Sequence, residues 1–137
     1  MKNNALVTLL APLFASYKKP MIPASDAALR KFKVMAAERN VPADVVEQLT
    51  DFYSVVDGVP GLDSLSIHKC ADIIVFEWWS DGELWLGQRD FYILRWHKNK
   101  YCVGSAGTIS FSPAHEFHTL AEGVGHMVGL YAQGSAG

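Results

Sequence analysis

Between Ile73 and Val103 four segments rich in β-branched and aromatic residues follow one another, Ile73 to Trp79, Glu83 to Gly87, Phe91 to His97 and Lys100 to Val103, with only a few residues between them. Parallel strands need a crossover of about a dozen residues or more, whereas antiparallel strands need only a tight turn. The segments are therefore expected to form a meander of successive hairpins. Asp81-Gly82 and Lys98-Asn99 suit two-residue turns, because such pairs accept the positive φ angles that match strand twist. Gln88-Arg89 is read as the turn of the middle hairpin.

Side chains alternate along a strand, so these turns predict two faces. One carries Ile74, Phe76, Trp78, Trp85, Tyr92, Leu94, Trp96, Tyr101 and Val103. The other carries Val75, Glu77, Trp79, Leu84, Leu86, Phe91, Ile93, Arg95 and Cys102. The first has no charge in mid-strand and is assigned to a helix-covered core; a one-residue slip in the middle turn would scramble the assignment.

The flanks read as helical. Ser25 is placed to cap a helix in which Leu29, Phe32 and Ala36 share a face, and Pro42 opens another with Val45, Leu49, Phe52 and Val56 at helical spacing, ended by Gly58. The apolar stretch Ala5 to Ala15 is read as a structural helix rather than a secretory signal, since Pro12 interrupts it and Leu13 suits a cleavage site poorly. Residues 59–71 read as a loop with a brief edge strand. Ser112 and Pro113 are expected to start a last helix carrying Phe117, Leu120, Ala121, Val124, Met127 and Tyr131 on one side, with Ala121, Gly125 and Gly129 forming a row of small side chains open to close approach.

A chain of 137 residues, half of them hydrophobic, closes one core. The expectation is a single α+β domain over 1–137: N-terminal helices over about 4–57, an antiparallel β-meander of four to six strands over about 64–104, and a C-terminal helix over about 113–131, with the helices mainly on one face.

Several chemistries are disfavoured. The formal charge is −2 and no basic run gathers to neutralise phosphates, which argues against nucleic acid. No stretch approaches the ~18 apolar residues of a membrane span. Cys70 and Cys102 have no metal-ligand spacing and read as reduced core thiols of a cytosolic protein. His118, Glu122 and His126 fall four apart, with His115 one turn earlier, but a solvated helix face explains the spacing without a metal. Ser105 lacks a nucleophile-elbow pattern, and Gly123, Gly125 and Gly129 lack the spacing of a dinucleotide fingerprint. Pairs such as Asp51 with Asp57 or Asp81 with Glu83 are explained by turns and caps. No catalytic site, metal or cofactor is expected.

Val41-Pro42-Ala43-Asp44 through Phe52-Tyr53 to Asp57-Gly58, then Leu84-Trp85-Leu86-Gly87, Asp90-Phe91-Tyr92-Ile93-Leu94, Gly104-Ser105 and a terminal helix entered through Phe111 and Phe117 give a pattern that resembles the SUKH superfamily over roughly Pro23 to Tyr131. That superfamily groups bacterial immunity proteins with fungal regulators of cell-wall synthesis. The resemblance implies a helix-backed antiparallel sheet and a cytoplasmic binding scaffold that neutralises a toxin domain by contact. From the residues, the expected contact surface is the second sheet face, with Glu77, Trp79, Arg89 and Arg95 as its candidates, because Trp and Arg recur at binding hot spots. Two other readings stand beside it. One is a small-molecule-binding domain with a cavity bordered by Trp85, Tyr92 and Trp96. The other is an enzyme in which His97 or His68 meets a carboxylate inside a cleft.

Overall fold

Leu6, Leu10 and Phe14 recur at one-turn spacing and bury one side of helix α1 (Asn4–Ser16) in a computed structural model that describes residues 4–105 and 115–129. Helix α2 (Asp26–Glu38) starts where Ser25 Oγ accepts the Ala28 N–H at 3.1 Å, and it buries Phe32, Met35 and Ala36. Helix α3 (Ala43–Val55) follows Pro42 and buries Val45, Leu49, Phe52 and Tyr53. No helix among the described residues is long and apolar enough to cross a membrane.

Six strands follow, β1 (Val59–Leu62), β2 (Leu65–Ile67), β3 (Glu83–Arg89), β4 (Tyr92–His97), β5 (Lys100–Ser105) and β6 (Glu116–Phe117), paired antiparallel in chain order. The expected α+β meander is thus present, and it begins earlier than the sequence suggested. Asp63 and Ser64, with φ of 51° and 67°, turn a β1–β2 hairpin where a loop with one brief strand was expected; β2 is that strand and β1 is additional. Lys98 and Asn99 turn β4–β5 as expected, with φ of 49° and 65°.

Ile73 to Trp79 is not a strand. Ile73–Phe76 and Trp79–Asp81 are 3-10 turns. Asp72 Oδ1 accepts the Ile74 N–H at 3.1 Å and starts the first, while Gly82, with φ of 77°, closes the second. The Asp81-Gly82 pair therefore ends a helical turn instead of joining two strands. The middle hairpin also differs, because β3 runs on through Gln88 and Arg89 and turns at Asp90-Phe91.

Moving that turn by two residues leaves the faces unchanged; a bulge changes them. Trp85 pairs with Arg95 and Gly87 with Leu94, so Leu86 is an extra residue in β3. Below the bulge the alternation is reversed from the expected one. Leu84 joins Leu94, Trp96, Tyr101 and Val103 in the core, and Trp85 turns to the other face beside Arg95. Gly87 allows this geometry, since a Cβ there would overlap the Ser66 carbonyl of β2.

Helix α4 (Leu120–Val128) covers the inner face. Thr119 Oγ1 accepts the Glu122 N–H at 3.2 Å while Glu122 Oε1 accepts the Thr119 N–H at 3.2 Å, a reciprocal cap. The helix thus starts later than expected, with Phe117 in β6; Ser112, Pro113 and Tyr131 lie outside the described residues. A Cβ on Gly123 would lie 3.1 Å from Leu94 Cδ1, so α4 sits close on the sheet, and the expected small-residue row does meet another helix, with Leu9 of α1 against Gly125. Arg89, 4% exposed, locks the assembly. Its Nη1 donates to the Met127 and Val128 carbonyls, both at 2.8 Å, its Nε donates to the Asp63 carbonyl at 3.1 Å, and its Nη2 pairs with the Asp63 carboxylate. One guanidinium thereby joins the β1–β2 turn, the end of β3 and the negative end of α4.

Gly87→Ala is expected to lower stability by more than about 2 kcal/mol, because backbone rather than a movable side chain opposes the added carbon. Urea denaturation checks this, and an unchanged midpoint contradicts the close approach.

Candidate functional site

The outer face of the sheet, opposite the helices, is built around the strands that flank the bulge. Glu83 stands opposite His97, and Trp85, Arg95, Cys102 and Glu116 form a row of paired positions across β3, β4, β5 and β6. Arg95 Nη1 donates to Glu83 Oε1 at 2.9 Å, and His97 Nδ1 lies 3.4 Å from Glu83 Oε2 without hydrogen-bond alignment. The Arg95 and Glu83 side chains are 12% and 16% exposed, so this pair is partly desolvated and held more firmly than a surface ion pair.

Above it lie two indoles. Trp78 and Trp85 stack with centroids 4.4 Å apart and planes 4° from parallel. The Arg95 guanidinium lies 5.3 Å from the Trp78 ring centre, within cation–π range. His68 meets Trp85 edge-on at 4.9 Å, and Trp85 Nε1 donates to Gln88 Oε1 at 3.1 Å. Burial holds His68 below the usual histidine range, with the charge of Asp72 acting the other way, so at neutral pH it presents an uncharged ring.

Adjacent tryptophans reach opposite sides. Trp78 takes the outer face, whereas Trp79 stacks on Trp96 of the core at 6.2 Å and its Nε1 donates to the Arg39 carbonyl at the end of α2, 3.0 Å away. Together they clasp the β3–β4 pair from both faces.

Of the residues expected to form a contact surface, Glu77 is exposed in the segment that carries Trp78, and Arg95 is on the outer face touching Trp78. Trp79 and Arg89 are corrected. Trp79 points inward because the segment is a 3-10 turn rather than a strand, and Arg89 is buried because β3 continues past the expected turn. Trp78, Trp85, His68, Glu83 and Gln88 cluster with Arg95 instead. The bulge hid Trp85; the consecutive pair Trp78-Trp79 was the available signal for Trp78, since neighbours in an extended or turned segment diverge.

Burial, and then the charge of Glu116, push the Cys102 thiol up to about 11, so it carries no thiolate at neutral pH. His97 does meet a carboxylate, but Glu83 is shared with Arg95; His68 lines a small cleft with Asp57 and Asp72, and the two larger clefts among the described residues lie elsewhere, along α1, α3 and α4. Trp85 and Trp96 occupy opposite faces, so they cannot border one cavity with Tyr92. Gly104 and Ser105 continue β5, with Ala106 and Gly107 outside the described residues.

The His118, Glu122, His126 spacing does not become a ligand stripe. His118 precedes α4, Glu122 is engaged by Thr119, and the His126 ring packs against His115 and Phe117, each at 5.2 Å. Among the described residues no group of three or more His, Cys, Asp or Glu is arranged to hold a metal ion. The chain matches no protein-family model, no curated protein and no solved structure.

Burial first, then Asp57, raises Cys70 to about 12, and both thiols start from an ordinary value of 9.0. Unfolded thiols ionise near that value and native ones only well above it, so ionisation favours the unfolded state as pH rises. This part of the stability is present below pH 9.0 and lost toward pH 11 to 12; buried Tyr53 and Tyr101, also raised, act in the same sense. Denaturation midpoints should fall over that window, and the native protein should resist a thiol reagent at mildly alkaline pH while the unfolded chain reacts at both cysteines. Rapid native labelling would contradict the burial.

Proposed function

We propose that the chain is a cytoplasmic, protein-binding immunity-type domain that neutralises a bacterial toxin domain by direct contact, in keeping with its resemblance to the SUKH superfamily. The observation that carries this reading is the stacked Trp78–Trp85 pair, flanked by Arg95, with both indoles partly exposed on the outer face of the sheet. Aromatic and Arg side chains held rigid before contact lose little entropy on binding and supply most of the energy at protein interfaces.

Inhibition of this kind needs only a complementary surface of about 800 Å² on each partner and no reaction chemistry. The rim supports the same reading. Glu77, exposed beside Trp78, gives the aromatic centre an anionic margin, and Phe91, 78% exposed, is a separate apolar group at the β3–β4 hairpin tip. Trp79 and Arg89 have no part in the contact.

The test is protection. Co-expression with a polymorphic toxin domain encoded beside this gene should restore colony growth, and Trp85→Ala or Arg95→Ala should each weaken binding by about 2 kcal/mol, roughly 30-fold. Absence of protection by the wild type overturns the toxin assignment. Full affinity in both folded variants overturns the placement of the surface.

A further inference from the structure

Helix α1 contains no charged residue in its 13 positions. Its inner side is spent on the core, yet Ala5, Val7 and Thr8 stay exposed. A helix apolar all round is ordinarily enclosed. Along its flank run two adjoining clefts that share Ala121. One, of about 370 Å³, has Leu6, Leu120 and Ala121 as its floor and Asp44, Glu47, Gln48 and Asp51 of α3 as its wall. The other, of about 640 Å³, lies between α1 and α4, with Glu122 at its rim and the short side chains Ala5, Thr8 and Gly125 in its lining. The result is one groove, apolar below, with Asp44, Glu47, Asp51 and Glu122 along it and, among the described residues, no Lys or Arg in its lining.

The complementary surface is on the same chain. Helix α2 turns Phe32, Met35 and Ala36 inward and displays Arg30, Lys31, Lys33 and Val34, the last 58% exposed. Those three cations form no ion pair with a described residue. Asp26 and Glu38 stand at the two ends of α2, so the cationic stretch is its middle, and such a stretch with a small apolar centre is what an apolar groove with an anionic wall accepts. An anionic membrane surface is repelled by the same wall.

We propose that the groove between α3, α1 and α4 receives helix α2 of a second copy, with Val34 over the apolar floor and Arg30, Lys31 and Lys33 against Asp44 and Asp51. Donor and acceptor are different patches, so the contact is heterologous and extends head to tail instead of closing on a two-fold axis. It is independent of the outer sheet face.

Sedimentation velocity on the full chain, from micromolar to near-millimolar concentration, tests this. At low ionic strength the weight-average sedimentation coefficient should rise with concentration, and added salt should suppress the rise. The double variants Lys31→Glu with Lys33→Glu, and Asp44→Lys with Asp51→Lys, should each weaken self-association by at least about tenfold. Mixed together they should associate again, since the native groove of the first meets the native α2 of the second and the two reversed surfaces are once more opposite in charge. Circular dichroism verifies folding, and if a reversal unfolds the chain, Lys33→Gln and Asp51→Asn replace it with smaller losses of the same sign. A wild type that stays monomeric at low salt overturns the proposal and leaves the groove to a cationic segment of a foreign protein. Folded reversal variants that still self-associate, or that fail to pair when mixed, overturn it as well.

Discussion

Where β3 bulges at Leu86, the backbone of β2 comes so near Gly87 that no side chain fits between them. The rest of the arrangement depends on that contact. Inserting one residue reverses the alternation in the lower half of β3, which sends Leu84 to the core and Trp85 outward. Without the reversal, Trp85 would stack under α4 and Arg95 would face an aliphatic residue. With it, a polar and aromatic cluster assembles on one side while the helix-covered side stays free of charge apart from Arg89.

Arg89 shows how the molecule tolerates that exception. Burying a guanidinium is costly unless its donors are satisfied, and here carbonyls from a hairpin turn and from a helix end receive them together with the Asp63 carboxylate. The charge thus joins three elements distant in the chain, and the C-terminal carbonyls of α4 gain a partner that water would otherwise supply. Trp79 does comparable work at the end of α2 through its bond to Arg39. Both groups look like binding residues in isolation and serve cohesion instead.

Much of the architecture was legible. Short links dictated an antiparallel meander, helical spacing placed Leu49, Phe52 and Val124 inside, and Lys98-Asn99 announced its turn. Arg95 and Cys102 were correctly set side by side, because β4 and β5 pair without irregularity. The failures have local causes. A Pro-Gly pair in β1 disguised an edge strand, Asp72 favoured a 3-10 turn over a segment with strand-like composition, and a bulge leaves no mark in composition beyond one glycine. The candidate face inherited those errors: Arg95 lies on the outer face as expected but is largely buried, Glu77 is exposed, and Trp78 rather than Trp79 points to that side.

In this sheet each strand lies beside its neighbours in the chain, so the tip carrying Asp90 and Phe91 is a terminus in all but covalent terms. Substitutions or insertions there lengthen one ribbon without re-registering another. Descendants of this chain can thus diversify that corner while inheriting an unaltered framework, a separation of novelty from upkeep.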